Sequence, residues 1–320
     1  MAYQAGDTIL DDEYNTFVNS SSSPYGYNHF AGTGSGEYGL GQTHIATVTG
    51  GATTITASQW NTLFTGMDNI ANHTNDTLSS TAAVSTGNTI AIKAALATDL
   101  ATLSSSIANG CPNATALTTS AALQTVTTAS EGWDTSATQE VSVTFTNANQ
   151  MRWFFNAGGK VRITVGTTAA VVQGKDTAFA DLGTAIGNLD IGSKATTRSG
   201  SGESLTTNGL ALGFHDLTTL YQTILKLTSD NANYTSNAIE IQAKLDAAVG
   251  TATVITVRML ATDLSADTQY TIPNTGGVTT QVKDTPKMVT TLFTINPTTG
   301  EGLGTAYTPL TTATVSNTTT

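Results

Sequence analysis

The residue types that most often carry out chemistry in proteins are sparse in this chain. It has four histidines, His29, His44, His73 and His215. No two of them stand at the H-x-x-x-H or H-E-x-x-H spacing that puts two imidazoles on one helix face, so the sequence gives no support to a zinc site. His215 precedes Asp216 in a serine-rich chain, but no G-x-S-x-G elbow accompanies the pair. A histidine at a strand end is therefore favoured over a hydrolase triad.

Two other patterns resemble ligand sites. Gly34, Gly36 and Gly39 match G-x-G-x-x-G, but no predicted strand precedes them and no helix follows, as a dinucleotide site requires. Asp263 and Asp267 could offer carboxylates to a calcium ion, yet turn-forming aspartates are favoured because no EF-hand pattern surrounds them. We therefore assign no catalytic, cofactor-binding or metal-binding residue, and expect neither a cofactor nor enzymatic activity.

The chain carries unusually little charge. Charged residues make up 11% of it, where about 25% is usual, and Thr, Ser, Asn, Ala and Gly take their place. Such surfaces are typical of extracellular β-proteins and of particles whose subunits are covered by neighbours. The net charge is −11 and the 12 basic residues are scattered, which argues against nucleic-acid binding. The single cysteine, Cys111, excludes an intramolecular disulfide framework.

The sequence shows no targeting segment. Residues 1–7 lack the basic and apolar regions of a signal peptide, and no run approaches the roughly 18 apolar residues of a membrane span. We expect a soluble protein with no membrane span. If it acts outside a cell, release by lysis within an assembled particle fits this expectation.

The densest aromatic cluster lies between two stretches that alternate at the period of a strand, Val141 to Phe145 and Val161 to Val165. The connector can form a helical turn, which Gly158 and Gly159 can end because glycine tolerates positive φ. We predict strand, short helix, strand, and a hairpin with the glycines in its turn is the alternative. The aromatic residues expected to lock the β domain together are Trp153, Phe154 and Phe155.

One helix has clear start signals. Thr56 can serve as its N-cap, and Gln59 completes a capping box. The apolar stripe that follows must be buried, and it consists of Trp60, Leu63, Phe64, Met67, Ile70 and Ala71.

A short internal repeat relates this helix to an earlier one, predicted over residues 8–18. Tyr14-Asn15-Thr16-Phe17 follows Thr8-Ile9 at the spacing at which Trp60-Asn61-Thr62-Leu63 follows Thr54-Ile55. The repeat indicates two related helical units that pack against each other or against symmetric neighbours.

The remaining amino-terminal segments suggest assembly contacts. A helix is predicted over about 88–109, and its narrow apolar stripe could meet copies of itself or its own domain. The Gly- and Tyr-rich segment 25–44 is expected to be an extended arm on another surface. The residues of this arm expected to contact a neighbouring subunit are Tyr25, Tyr27, Phe30 and Tyr38.

The later part of the chain alternates turn residues with short apolar runs, which indicates an antiparallel sheet or sandwich with inserted helices. A helix is predicted over about 176–189 and a polar loop over 197–208. The predicted strands are 210–214, 220–227, 239–245, 254–260, 270–272 and 288–295, and the segment 217–225 also fits a helical stripe. The fold class is thus α+β, with a helical amino-terminal region followed by a mainly antiparallel β domain. The predicted regions are 1–50 (first helix and arm), 51–132 (helical), 133–307 (β-rich) and 308–320 (Thr-rich tail, an extended arm).

Two segments carry a family resemblance. The helix start Thr54-Ile-Thr-Ala-Ser-Gln-Trp-Asn-Thr-Leu63 and the segment Asn149-Gln-Met-Arg-Trp-Phe-Phe-Asn-Ala-Gly-Gly-Lys-Val-Arg-Ile163 resemble those of virion structural proteins of tailed bacteriophages, of the marine myovirus type. The resemblance is strongest over residues 50–70 and 137–165. It implies a subunit of the tail, neck or a fibre, and it implies no enzymatic residues.

These observations predict a non-enzymatic phage virion subunit that assembles with copies of itself and with other virion proteins. It would be made in the host cytoplasm and located in the virion. One alternative is a module that binds host-surface glycan, with Tyr221, Tyr234 or Tyr270 as aromatic platforms. Further alternatives are an extracellular filament or a capsid decoration protein. The assembly core is expected to comprise Trp60, Phe64, Trp153, Phe154, Phe155, Gly158 and Gly159.

Overall fold

The computed structural model confirms the predicted α+β class, with helices first and a mainly antiparallel β region after them. It describes residues 11–31, 39–49, 55–86, 93–108, 117–169, 174–265, 269–271, 279–281, 285–297 and 311–320. No helix among these residues is long and apolar enough to cross a membrane. The helices are α1 (Asp11–Asn19), α2 (Tyr27–Ala31), α3 (Ala57–Thr74), α4 (Lys93–Ala108), α5 (Ala148–Asn156) and α6 (Gly174–Ile186).

Twelve of the strands form two six-stranded sheets. Sheet A has the order β1-β13-β4-β5-β6, with β2 also paired to β13, and sheet B has the order β14-β3-β10-β9-β8-β7. A separate pair joins β11 to β12. The strands are β1 (Leu117–Thr119), β2 (Gln124–Thr127), β3 (Ser136–Thr144), β4 (Lys160–Thr168), β5 (Leu189–Ile191), β6 (Thr196–Arg198), β7 (Ser204–Asn208), β8 (Gln222–Thr228), β9 (Ala238–Leu245), β10 (Val254–Thr262), β11 (Gln269–Thr271), β12 (Thr279–Gln281), β13 (Lys287–Pro297) and β14 (Thr311–Thr319).

The chain divides into two compact units. The helical unit comprises Met1–Thr118, Asn149–Gly159 and Asn296–Thr308, and the β unit comprises Thr119–Ala148, Lys160–Ile295 and Pro309–Thr320. This division differs from the predicted regions at several places. Residues 119–132 belong to the β unit, and residues 296–308 belong to the helical unit. Helix α5 belongs with the amino-terminal helices, although it is inserted between two strands of the β unit. The Thr-rich tail belongs to the β unit.

Helix α3 has the predicted start and the predicted buried face. The Thr56 hydroxyl accepts from the Gln59 N–H at 3.3 Å, and the Gln59 carboxamide accepts from the Thr56 N–H at 2.8 Å. The whole predicted stripe is buried, including Trp60 and Phe64. Asn75, at φ 61°, ends the helix in the left-handed region.

The stripe of α4 is buried within this chain, so the contact with its own domain is the correct alternative. Its buried members are Leu96, Leu100, Leu103 and Ile107. The buried carboxylate of Asp99 on this helix accepts the N–H groups of Ser79 and Ser80, at 3.0 and 2.9 Å. This carboxylate therefore fixes the loop after α3 onto α4.

The stretch around α5 is strand, helix, strand, as predicted. The hairpin alternative is wrong because β3 lies in sheet B and β4 lies in sheet A. Gly158 has φ 88° and so ends the helix in the left-handed region. Gly159 allows a close approach, since a Cβ there would lie 2.5 Å from the Phe154 carbonyl oxygen.

Several strand predictions are confirmed and three assignments are wrong. Strands β8, β9, β10 and β13 occupy the predicted runs, and the helical alternative for 217–225 is wrong because β8 begins at Gln222. The predicted loop 197–208 contains the end of β6 and all of β7, whereas 210–214 leads into a 3-10 turn at Phe214–Asp216. The tail is strand β14 rather than a free arm, because its backbone pairs with β3 along nearly its whole length.

Both sheets contribute to one buried polar network. Gln139 on β3 donates from its amide nitrogen to the carbonyl oxygens of Val126 on β2 and Met288 on β13, each at 3.1 Å. Its amide oxygen accepts from the Thr290 hydroxyl at 2.6 Å. This side chain therefore links sheet B to sheet A inside the β unit, with its hydrogen-bonding capacity satisfied as burial demands.

Candidate functional site

Two of the histidines, His73 and His29, are parts of the packing, whereas His44 is exposed. His73 is fully buried on α3, and its Nε2 lies 2.7 Å from the carbonyl oxygen of Ala157. His29 stacks on Tyr25 with ring centroids 4.0 Å apart, and burial lowers its pKa. Among the residues that the structure describes, no three histidine, cysteine, aspartate or glutamate side chains are grouped to hold a metal ion.

The His215-Asp216 pair lies in a turn, not at a strand end as predicted. The Asp216 carboxylate accepts from the Gly213 N–H at 3.0 Å, and the His215 ring packs on Phe214 with centroids 5.0 Å apart. The two side chains thus have separate local roles in shaping the 3-10 turn.

Asp263, considered as a calcium ligand, is part of a buried ion pair. Its carboxylate lies 2.8 Å from the Lys175 Nζ, and both side chains are at most 1% exposed. The same Nζ donates to the Ser265 carbonyl oxygen at 3.1 Å. A carboxylate already neutralised by an ammonium group is a poor calcium ligand, and Asp267 lies outside the described residues.

The aromatic residues of α5 form a core, but it is the core of the helical unit. Phe154 and Phe155 are fully buried and meet edge to face at 5.1 Å, whereas Trp153 is half-buried. Asn156, at the end of the same helix, donates to the Gly39 carbonyl oxygen at 3.4 Å. The expectation that these rings lock the β domain is corrected, because α5 groups with the helices.

Two of the four residues expected to form the inter-subunit arm are folded into their own chain. Tyr27 and Phe30 lie on the short helix α2 and are buried, which leaves them unavailable to a neighbouring subunit. Gly66 on α3 lets the Tyr27 ring approach, since a Cβ there would lie 2.6 Å from it. Tyr25 is half-buried against His29, and Tyr38 lies outside the described residues.

The internal repeat has a structural counterpart, and of its two predicted alternatives the packing of the helices against each other is confirmed. Tyr14 packs edge-on against Trp60 with ring centroids 5.1 Å apart, so the two helices of the repeat contact each other. The asparagine that follows each ring clamps an extended segment. Asn15 exchanges two hydrogen bonds of 2.8 Å with the N–H and C=O of Val48. Asn61 does the same with Val84, at 2.9 and 2.8 Å.

A third asparagine clamp holds the same extended segment as the first. Asn28 on α2 donates to the Ile45 carbonyl oxygen at 2.8 Å and accepts from the Ile45 N–H at 2.9 Å. Each amide thus satisfies both backbone groups of one residue, as a neighbouring strand would. The recurrence of an aromatic-Asn-Thr triplet is the sequence signal for two of these clamps, and Asn28 has no such signal.

A polar groove of about 610 Å³ lies in the helical unit, between α3 and the clamped segment. It contains side-chain amides, hydroxyls, one imidazole and the Tyr27 ring, and none of its lining residues carries a carboxylate or an ammonium group. The lining residues are Tyr27, Gln42, Thr43, His44, Ile45, Ser58, Asn61, Thr62, Thr65, Gly66 and Asn69. Hydrogen-bonding groups without formal charge suit a neutral polyhydroxylated ligand.

Two of the three tyrosines proposed as glycan platforms, Tyr234 and Tyr221, are not open rings. Tyr234 is buried. The Arg258 guanidinium lies 3.8 Å from the Tyr221 ring centroid, and the Lys244 Nζ lies 4.3 Å from it. The ring of Tyr221 is therefore already engaged in cation–π contacts. The side chain of Tyr270 lies outside the described residues.

Sheet B ends in two strands that present unusual edges. Strand β7 is exposed at all five residues, and β14 is exposed over much of its length. Neither strand contains a charged residue or a proline. Each carries an exposed large apolar side chain, Leu205 at 41% and Val315 at 55%. Natural edge strands are commonly protected by charge or proline, and within the part of the chain that the structure describes these two strands show only a bulge each.

No family model, curated protein or solved structure matches this chain.

Proposed function

We propose that this protein is a non-enzymatic structural subunit of a tailed-phage virion, assembling through contacts with its own copies in the tail, neck or a fibre. The observation that carries the proposal is the pair of uncharged, proline-free edges of sheet B. An edge of this kind is a ready template for pairing with another chain, and a subunit that works within an assembly has a use for it.

Two further features support the same function. The segments 54–63 and 149–163 resemble virion structural proteins. The first contains the start of α3, and the second runs from α5 of the helical unit into β4 of the β unit. A charged fraction of 11% also suits a subunit whose surface is largely covered by neighbours.

Two measurements test the proposal. Antibodies against the recombinant protein should label purified phage particles at one position along the particle, visible by electron microscopy. The recombinant protein should sediment as a species larger than a monomer at micromolar concentration. A protein that stays monomeric and is absent from purified particles would overturn the proposal.

The polar groove of the helical unit favours a second candidate function, glycan binding. Its uncharged amides and hydroxyls would hydrogen-bond a neutral saccharide, as specific pockets do with a few well-placed polar groups. Titration with host-surface oligosaccharides, followed by NMR, should shift the resonances of residues 42–45. Asn69→Ala, within the groove, should weaken that binding, while Gln242→Ala on sheet B should not.

A further inference from the structure

The two edge strands of sheet B, β7 and β14, run in opposite directions. Each strand is antiparallel to the next, through β14·β3, β3·β10, β10·β9, β9·β8 and β8·β7. Five successive reversals leave β7 antiparallel to β14. If two copies lie side by side in the same orientation, β7 of one copy therefore meets β14 of the next as an antiparallel neighbour, and the alternation continues without a break.

The side chains at the two edges fit this arrangement. Leu205 pairs in register with Leu227, which is fully buried, so the apolar inner face of sheet B continues out to the β7 edge. A strand added beyond β7 would cover Leu205. The other large exposed apolar side chain on a described strand is Val315, on β14, and the remaining three lie in loops.

Only a head-to-tail contact between copies would pair both edge strands of every copy. A two-fold pair formed through β7 alone, or through β14 alone, leaves the other edge of every copy open. A head-to-tail pair uses both edges of each copy, and such heterologous contacts close into rings or continue as filaments. Since open edges are a liability for a soluble protein, the arrangement that removes both is favoured.

We propose that copies of this protein join head to tail, with β7 of one copy adding to β14 of the next so that sheet B runs on from subunit to subunit. This inference rests on the proposed function, because it specifies the surface through which the subunit assembles. The occupant of each edge is a second copy of the same chain, joined through main-chain hydrogen bonds.

Edge charges test the proposal against a matched control. Leu205→Lys and Val315→Lys should each reduce the assembled species to monomer in sedimentation velocity, because an ammonium group at an edge opposes strand addition. Leu220→Lys and Leu264→Lys add the same charge at exposed loop positions, 75% and 68% exposed, and should leave assembly unchanged. Assembly that survives both edge substitutions would overturn the proposal.

Cross-linking distinguishes head-to-tail pairing from two-fold pairing, with substitutions too small to unfold the sheet. In a Cys111→Ser background, Thr207→Cys on β7 and Ala313→Cys on β14 are prepared as separate variants. A short bismaleimide should join the two variants when they are mixed, and the double variant should give a ladder of more than two copies. Covalent dimers from either single variant alone would show two-fold pairing and overturn the proposal.

The two proposals fail in different ways. If the protein is found in phage particles and assembles, but neither edge charges nor cross-links involve β7 and β14, the edge pairing is wrong and the virion function stands. If head-to-tail cross-links form but antibodies find no protein in particles, the virion function is wrong and the edge pairing stands.

Discussion

The helical unit and the β unit satisfy their extended backbone in different ways. In the β unit, strands pair along ladders of up to nine residues, as between β3 and β10. In the helical unit, the extended segments around Ile45, Val48 and Val84 are held by single asparagine side chains. Each clamp supplies two hydrogen bonds from one side chain. A single residue therefore satisfies backbone groups in the helical unit that a whole paired strand satisfies in the β unit.

Both units bury aromatic rings and polar groups. The helical unit buries Tyr14, Trp60 and Phe154 among its helices, together with the Asp99 carboxylate. The β unit buries Phe179, the Gln139 network and the Lys175–Asp263 ion pair. We therefore expect ring deletions to be costly in both units, and the loss of one partner of the ion pair to be costly in the β unit.

Removing one buried ring from each unit is the strongest test of whether the two units unfold independently. Phe154→Ala and Phe179→Ala each delete a fully buried ring, and each should cost about 3–5 kcal/mol of unfolding free energy. Phe154→Ala should lower hydrogen-exchange protection in α3 while β9 and β10 keep theirs, and Phe179→Ala should do the reverse. Equal loss of protection in both units for either variant would show that they unfold as one.

Breaking the buried ion pair should have the next largest effect, confined to the β unit. Lys175→Met leaves the Asp263 carboxylate buried without its ammonium partner, at a cost of about 3 kcal/mol. The double variant Lys175→Met/Asp263→Leu removes both charges and should recover most of that loss, because neither group then requires solvation. Urea denaturation of the three proteins measures this coupling, and additive losses in the double variant would contradict it.

Removing an asparagine clamp should cost less, and only in the helical unit. Asn61→Ala leaves the N–H and C=O of Val84 without their side-chain partners, so we expect a loss of about 1–3 kcal/mol. Asn69→Ala, on the same helix but in no such clamp, should cost under about 0.5 kcal/mol. Equal losses for the two variants in urea denaturation would show that the clamps contribute little.

The two units also differ in how much of their structure could be predicted from the sequence. The α3 cap, its buried stripe and the Gly158 turn depend on residues close in sequence, and these predictions are confirmed. The asparagine clamps join residues 17 to 33 positions apart, and no local pattern reveals such a partner. The place of α5 depends on contacts with distant helices, so Phe154 and Phe155 were correctly expected to be buried but were assigned to the wrong unit, and Trp153 is only half-buried.

In the β unit, strand positions were readable where apolar and polar residues alternate, as in β9. Strands β7 and β14 were missed because their residues are nearly all polar, and they are strands only through pairing with β8 and β3. The edges that now carry the assembly proposal were therefore invisible to hydrophobic periodicity. Their signal was the β-branched threonine content, which favours strands but also fills loops in this chain.

The smallest predicted effect is a loss of stability at alkaline pH. The two units differ here in how many tyrosines with a raised pKa they contain. Burial raises the pKa of Tyr14 and of Tyr27 in the helical unit to about 12, and it is the main cause of the same shift at Tyr221 in the β unit. A raised tyrosine pKa favours the protonated folded state, so its contribution to stability is complete below pH 10, the unperturbed value. That contribution is lost as pH rises from 10 towards 12, because only the unfolded chain ionises readily.

Unfolding free energy should therefore be level up to about pH 9.5 and fall above pH 10. The variant Tyr14→Phe/Tyr27→Phe should show a shallower fall than Tyr221→Phe does, since two titrating groups are removed instead of one. Urea denaturation between pH 8 and 11 measures both slopes. The phenylalanines keep the ring contacts, including that of residue 14 with Trp60, so a change in slope reports the hydroxyl proton and not the packing. Identical slopes in the two variants would mean that Tyr14 and Tyr27 together contribute no more to the alkaline loss of stability than Tyr221 alone, which would contradict this prediction.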